Sequence, residues 1–484
     1  MFNKRFNTFV PFLTTLVLTG CGNESTTPLV VDYEQPGAPL LSQSPVSKQA
    51  SGVAQIRDLG SHCTGFVIDH GVNHAPAYLL TNGHCVGLFD SAAVLTDQSA
   101  QGIARFNLFI DDFSQELPVN LIEISWATMR GTDIAAVKAD QTLGELRAKG
   151  IHAYKLTGLP QAGTPISIIG VPVHNIPQAE WALRQVHCKA GTRSRLFEFV
   201  WIWDQAQSGD CAGVLPGNSG SPVFDGQGRV VGIVNTTTIG AQTGGNCYLG
   251  KPCELGANGV VSRRNTSYWL AVDGVTACFT SSGEFNLSAA GCRLEKPQPF
   301  TVRNDSRVSK APASWQAELD GPRTISLKSG PLHSTDCRNS QGYHGSYYAG
   351  EQFKQTINSP HTKDTHWLLC AAGYGPDGTI DTSTAGFATL TVDNTPPIRP
   401  LELYVIRFEG GLSYQPKFSP PELSSYRWKS GVPAQTDCTD PAGYRIFFRI
   451  PRFADDSELP LKVCLIGSDE AGNESQPKTI MLEK

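Results

Sequence analysis

The chain has 484 residues, a formal net charge of −5, and 40% hydrophobic against 17% charged residues. It is too apolar to be disordered and long enough for two to four domains of about 150 residues each. The slight acidity leaves no electrostatic footprint for nucleic acid, so none is expected as a partner. With 48 glycines and 32 prolines between short alternating runs, the fold class expected is all-β.

In chain order, "MFNKRFNTFVPFLTTLVLTGCG" comes first. Lys4 and Arg5 precede an apolar stretch short for a membrane span, and small residues follow up to Cys21, the pattern of a secretory signal. Leu18-Thr19-Gly20-Cys21 resembles the bacterial lipobox, which implies a lipoprotein signal over residues 1–21 and a lipid on Cys21. Gly22, where an Asp would favour inner-membrane retention, points to an outer-membrane lipoprotein of the cell envelope that meets the membrane through its anchor. Residues 22–52, rich in Ser, Thr, Pro and Gln, read as a flexible tether. The chain has 13 cysteines, and setting Cys21 aside leaves an even number, which suits disulfides in an exported protein.

Residues 53–294 carry closely spaced apolar runs, among them "TGFVIDH", "AYLLTNG", "DIAAVKA", "RLFEFVWIW" and "RVVGIVN". Gly, Asn and Asp between them predict antiparallel barrels. "NTSYWLAVDGV" is the best candidate for a terminal helix. Cys278–Cys292 is the simplest pairing after it. Cys188, Cys211, Cys247 and Cys253 allow three pairings, of which Cys188–Cys211 with Cys247–Cys253 is favoured. Beyond residue 295 the chain repeats itself: "LKSGPLHSTDC" matches "WKSGVPAQTDC", and each copy has a second Cys. Two tandem β-sandwiches follow, residues 295–395 and 396–484, bridged by Cys337–Cys370 and Cys438–Cys464. They resemble bacterial immunoglobulin-like modules, carry no catalytic constellation, and are expected to be dispensable for chemistry while binding a surface target.

The stretch "LPGNSGSPVFDGQGRVVGIVN" crowds Ser219 with turn-forming residues directly before a strand. A serine hydroxyl becomes a good nucleophile when a base takes its proton and a third group orients the base. His84 in "LLTNGHCV" and Asp133 in "GTDIAAVKA" stand beside strands and supply those types. Asp111 and Asp112 compete with Asp133 but lack the apolar run that follows it. "TNGHC", "DIAAV" and "GNSGSP" are similar to the His, Asp and Ser elements of chymotrypsin-like serine peptidases, and "CTGFVI" resembles the strand whose Cys bridges to the one beside the histidine. The resemblance covers about residues 53–280 and is nearest the bacterial secreted branch. It implies a double β-barrel with the site between barrels, a Cys63–Cys85 bridge, and a triad with His84 as base, Asp133 as its orienting acid and Ser219 as nucleophile. The N–H groups of Gly217 and Ser219 would form the oxyanion hole.

Protein or peptide substrates follow from that resemblance, with no cofactor. His62, His70, His74 and His84 with Cys63 and Cys85 could hold zinc, but the oxidising compartment favours a disulfide, so no metal is expected. Asn218 replaces the acidic residue that pairs with a new N-terminal ammonium in zymogen-type relatives, and no cleavage junction precedes Cys63; activation by N-terminal insertion is not expected. The resemblance implies, by a gapless count back from Ser219, that Gly213 and Val214 lie at the base of the substrate pocket and Asn235, Thr236 and Thr237 along its wall; matching Cys211 to the family's cysteine near the nucleophile would instead move Asp210 towards the pocket. None of the five residues of the gapless count is charged, so uncharged residues before the cut are expected. Two rivals stand beside the serine endopeptidase: a non-catalytic adhesion or binding protein on a peptidase-like scaffold, and an esterase of another fold. The intact His84, Asp133 and Ser219 set argues against the first. The second wants the order Ser, acid, His.

Overall fold

The computed structural model describes residues 31–240, 247–297, 301–304, 308–320, 324–348, 350–357, 365–419 and 422–484. Cys21 and the expected signal over residues 1–21 lie outside them. Six antiparallel strands, Val53–Arg57, Cys63–Val67, Pro76–Thr81, Val94–Phe106, Leu117–Thr128 and Ile134–Thr142, close into a barrel. "IAAV" at residues 134–137 is buried along its whole length instead of alternating, so the outer face of this strand is covered as well as the barrel interior. The register sets Thr81 opposite Ala135 and Thr128 opposite Ile134. The turn after Thr81 and the loop before Ile134 therefore open at the same rim.

A ten-stranded antiparallel sheet follows. Its order is Ala38–Pro39, Arg184–Lys189, Pro165–Gly170, Pro222–Phe224, Val230–Thr237, Ser267–Leu270, Trp201–Gly209, Arg193–Glu198, Cys253–Gly256, Gly259–Ser262. Residues of the barrel and of this sheet share one continuous core, from Phe66 and Trp126 to Trp203, Phe224 and Tyr268. Between them a short helix, Leu143–Ala148, starts at a capping box made by Thr142 and Glu145.

Three local expectations differ from what is observed. The stretch 22–52 was expected to be a tether, yet from Tyr33 on it is packed. Ala38 and Pro39 pair with Gln185 and Arg184, and the Leu40 N–H donates to Leu183 while its carbonyl accepts from Ile110. Leu40 and Ala50 are buried, a handful of apolar residues masked by polar neighbours. The expected terminal helix begins instead as the strand Ser267–Leu270 between two others, followed by a 3-10 turn over Asp273–Cys278. Tyr268, Trp269 and Leu270 are buried on both faces of the sheet, where a strand suits large aromatic residues. "RLFEFVWIW", read as one strand, is a hairpin: Glu198 pairs with Trp201 across Phe199 and Val200, with Phe199 at φ 58°.

The C-terminal residues form two further all-β units. In the first, Thr301–Asn304, Ala313–Asp320 and Gln352–Ile357 make one sheet, and a five-stranded sheet includes Ile325–Pro331, Thr365–Tyr374 and Ile380–Val392. Trp315, Ala317 and Leu319 point into the common core while Gln316, Glu318 and Asp320 point out, the period of two that a half-buried strand requires. The second unit pairs a three-stranded sheet, Leu403–Phe408, Gly411–Pro416 and Arg452–Asp455, with a four-stranded one containing Ser425–Gly431 and Leu461–Ser468. Disulfides join Cys63 to Cys85, Cys188 to Cys211, Cys247 to Cys253, Cys278 to Cys292, Cys337 to Cys370 and Cys438 to Cys464.

Candidate active site

The turn bearing Ser219 uses its glycines for space and for backbone shape. Gly217 has φ 103°, and a Cβ there would lie 2.7 Å from both the Val171 carbonyl oxygen and the Val173 nitrogen. Gly220, at φ 84°, is pressed against the Thr64 carbonyl. Only glycine meets both demands. The turn is tied internally by Asn218 N–H to the Leu215 carbonyl (3.0 Å) and Ser221 N–H to the Asn218 carbonyl (2.9 Å), and to the sheet by Gly220 N–H to the Val234 carbonyl (2.9 Å). Among the described residues the N–H groups of Gly217 and Ser219 have no acceptor. They remain available to an incoming oxygen.

Thr64 fastens this turn to the barrel. Its N–H donates to the Ser219 carbonyl (2.8 Å), its hydroxyl donates to the Gly217 carbonyl (2.8 Å) and accepts from Val171 N–H (3.0 Å), and its own carbonyl accepts from the Thr81 hydroxyl (2.7 Å). One fully buried side chain thus links three segments. Nothing in "CTGFV" marks it from sequence.

His84 opens a 3-10 turn that ends on Gly87 in the left-handed region, and the Cys63–Cys85 bridge fixes the next residue. Its ring Nδ1 lies 2.7 Å from Asp133 Oδ2, and its N–H donates to Oδ1 at 3.1 Å. Asp133 is wholly buried, and its carbonyl accepts from the Asn82 amide (2.7 Å). A carboxylate opposite Nδ1 fixes the proton there and leaves Nε2 as the basic nitrogen. Burial works to lower the imidazole's pKa, but the charge and hydrogen bond of Asp133 outweigh it, and the net shift is upward. Cys63, Cys85 and His84 cluster closely enough to suggest a metal. The two sulfurs are bonded to each other, which leaves the imidazole as the one donor of the three.

His84, Asp133 and Ser219 line one cleft of about 440 Å3, together with Val214, Asn235, Thr236 and Thr237. Gly213 does not line it. At φ 87° it packs against Gln35 and Gly37, and its N–H donates to the Tyr33 carbonyl, so the packed N-terminal segment covers the place expected to be pocket floor. Asn218 is buried and holds local partners, the Gly213 carbonyl at 3.5 Å and the Ser221 hydroxyl at 3.4 Å.

The cleft also has members that sequence reasoning missed. Trp201 and Trp203 stack at 6.0 Å along one wall, and Glu34 reaches it from the stretch expected to be a tether. Glu198 is the consequential one. Only 4% exposed, it accepts from the Thr236 hydroxyl (2.7 Å) and from Gly250 N–H (2.8 Å). Burial pushes its carboxyl up to about 7 against those two hydrogen bonds and the His84 charge. An uncharged cleft was the physical ground for expecting uncharged residues before the cut, and Glu198 removes it. The available signal was the one acidic residue inside "RLFEFVWIW".

Residues 63–233 match the family model described as a trypsin-like peptidase domain. This segment is a trypsin-like peptidase domain. No curated protein sequence matches the chain. Among solved structures, a mutant of human heparin binding protein aligns with 49% of this chain and 91% of its own, at 15% identity and a TM-score of 0.31. The peptidase domain is of the protease type, and its family acts on protein or peptide substrates.

Proposed function

We propose that the chain is an exported, lipid-anchored serine endopeptidase of the bacterial cell envelope that hydrolyses peptide bonds with Ser219, His84 and Asp133. The observation that carries this reading is the 2.7 Å contact of His84 with buried Asp133 in the same cleft as Ser219. His84 Nε2 takes the Ser219 proton as Oγ attacks the scissile carbonyl, and Asp133 stabilises the imidazolium that forms. Charge developing on the carbonyl oxygen is met by the N–H groups of Gly217 and Ser219; losing one such donor costs roughly 3 kcal/mol in comparable sites. His84 then protonates the leaving amine, and water, activated by the same imidazole, releases the acyl group from Ser219.

Lipidation at Cys21 and an outer-membrane location rest on the lipobox resemblance. The immunoglobulin-like character of the C-terminal units, and a surface target for them, rest on the repeat and on its two-sheet, one-disulfide architecture. Fluorophosphonate labelling of the purified chain, with the adduct located by mass spectrometry, tests the chemistry. An adduct on Ser219 that is absent after His84→Ala is expected; a folded chain that takes no label is a binding protein on a peptidase scaffold. Metabolic palmitate labelling of wild type and not of Cys21→Ala tests the anchor, and equal solubility of the two removes it.

A further inference from the structure

Asp133 sits at the end of a hairpin tip. Its flanking strands pair at Thr128 and Ile134, which leaves residues 129–133 without a ladder. Three sets of contacts hold this tip. From the barrel, the Asn82 amide donates to the Asp133 carbonyl, and the Thr128 hydroxyl accepts from Arg130 N–H at 3.0 Å. From the ten-stranded sheet, Asp204 N–H donates to the Gly131 carbonyl at 2.8 Å.

The third set comes from outside the peptidase domain. The Arg130 side chain is 7% exposed, and its guanidinium donates to the carbonyl of Ala385, a residue of the first C-terminal unit. Its Nε lies 3.5 Å from Glu295, whose carbonyl accepts from the Trp126 indole at 2.9 Å. Around it Arg338 of the same unit reaches Asp204 at 3.0 Å and Glu295 at 3.5 Å. Behind these ions Leu332, Leu368 and Cys370 share a core with Phe197, Ile202 and the Cys247–Cys253 bridge. A buried guanidinium needs its hydrogen bonds satisfied. Without the Ala385 carbonyl and its cover, Arg130 would turn out to water and take the tip with it.

We infer that the first C-terminal unit is a working part of the active site, because it seats Arg130, and that Arg130 is a positioning residue for the His84–Asp133 pair. The inference rests on the serine-peptidase reading for its kinetic consequence but not for its geometry. It replaces the expectation that both C-terminal units are dispensable for chemistry.

The test uses the full chain with Arg130→Met, Arg130→Lys and Arg338→Glu. The last weakens the docking from an exposed position, so it probes the same coupling where Arg130→Met fails to fold. Two readouts are taken: kcat and KM against pH on a small peptide substrate, and the titration of the His84 ring by NMR, assigned with His84→Ala. Arg130→Met should lower kcat about 10- to 100-fold with KM changed no more than about twofold, the signature of a misplaced catalytic group. The His84 midpoint should move to lower pH, because Asp133 is what raises it. Arg338→Glu should move both in the same direction by less, and Arg130→Lys should restore part of each. A folded Arg130→Met whose His84 titration matches wild type overturns the inference, whatever its rate. If wild type shows no turnover, the peptidase reading fails while the NMR titration still decides the positioning.

Discussion

The two C-terminal units are copies of one design placed in different circumstances. In each, a lysine on the repeated strand reaches over a tyrosine ring to two loop carbonyls: Lys328 over Tyr343 to Asp336 and Asn339, and Lys429 over Tyr444 to Asp440 and Ala442. Each tyrosine hydroxyl donates to the carbonyl of the bridging cysteine, Cys337 or Cys438. The copies part where the first meets the peptidase domain. Leu332, Leu368 and Phe387 of the first unit are replaced in the repeat by Pro433, Lys462 and Thr479. The internal frame is thus independent of docking, and three side chains on one face distinguish the copy that packs against Phe197 and Ile202.

The sharpest contrast concerns chemistry, which neither copy supplies. Ser219→Ala and His84→Ala should each reduce peptide cleavage by roughly a millionfold, and the double variant no further, since the residues act as one unit. Lys462→Asp in the second copy should leave kcat within about twofold. Residual activity in purified Ser219→Ala near the wild-type level would break the assignment.

Stability should separate the copies next. Leu368→Asp buries an unpaired carboxylate and should cost about 3–5 kcal/mol in chemical denaturation of the first unit. Lys462→Asp, at a half-buried position, removes the ammonium's hydrogen bond to the Thr436 carbonyl (2.9 Å) and should cost about 1 kcal/mol. Equal costs would mean that the docked face is not the one described. A smaller difference is expected from the disulfides. The bridges close separations of 33 and 26 residues, for which chain entropy gives about 3–4 kcal/mol each. Cys337→Ser with Cys370→Ser should exceed Cys438→Ser with Cys464→Ser by about 1 kcal/mol, because the first bridge also packs against Phe197 and Ile202. Paired denaturation curves measure the excess.

The mildest contrast is with pH. His366 packs edge-on against Phe197 at 5.0 Å, and burial pushes its pKa from 6.5 down to about 4, against the pull of Asp393. The unfolded chain then binds the proton first, so the contribution of His366 is complete above about pH 6.5 and is lost as pH falls towards 4. The repeat has Pro460 at this place and should lack this component. Melting each unit between pH 7 and 4 tests it, and His366→Gln should flatten the first unit's response.

Much of the fold was legible because strand periodicity, turn residues and the repeat each act locally. His84, Asp133 and Ser219 could be read for the same reason: each sits in a short run of neighbours whose spacing is set by its own turn. The missed residues act over distance. Thr64 has no distinguishing neighbour, and its value comes from meeting residues more than a hundred positions away. Glu198 was hidden by a hairpin turn made without glycine, at Phe199. Gly213 was misplaced because the count assumed open space where residues 33–37 pack. Arg130 lies three residues from Asp133, but its partner Ala385 is 255 positions on, beyond what any local pattern encodes.

The Thr64 contacts also bear on how the peptidase domain comes apart. Its amide is bonded to the carbonyl of Ser219 and its hydroxyl to the carbonyl of Gly217, so the barrel strand and the turn bearing Ser219 cannot separate without exposing both. In native-state hydrogen exchange the Thr64 amide should therefore be among the slowest in the domain, released only when barrel and sheet open together. A protease searching for a loose edge would meet the two halves as one cooperative unit.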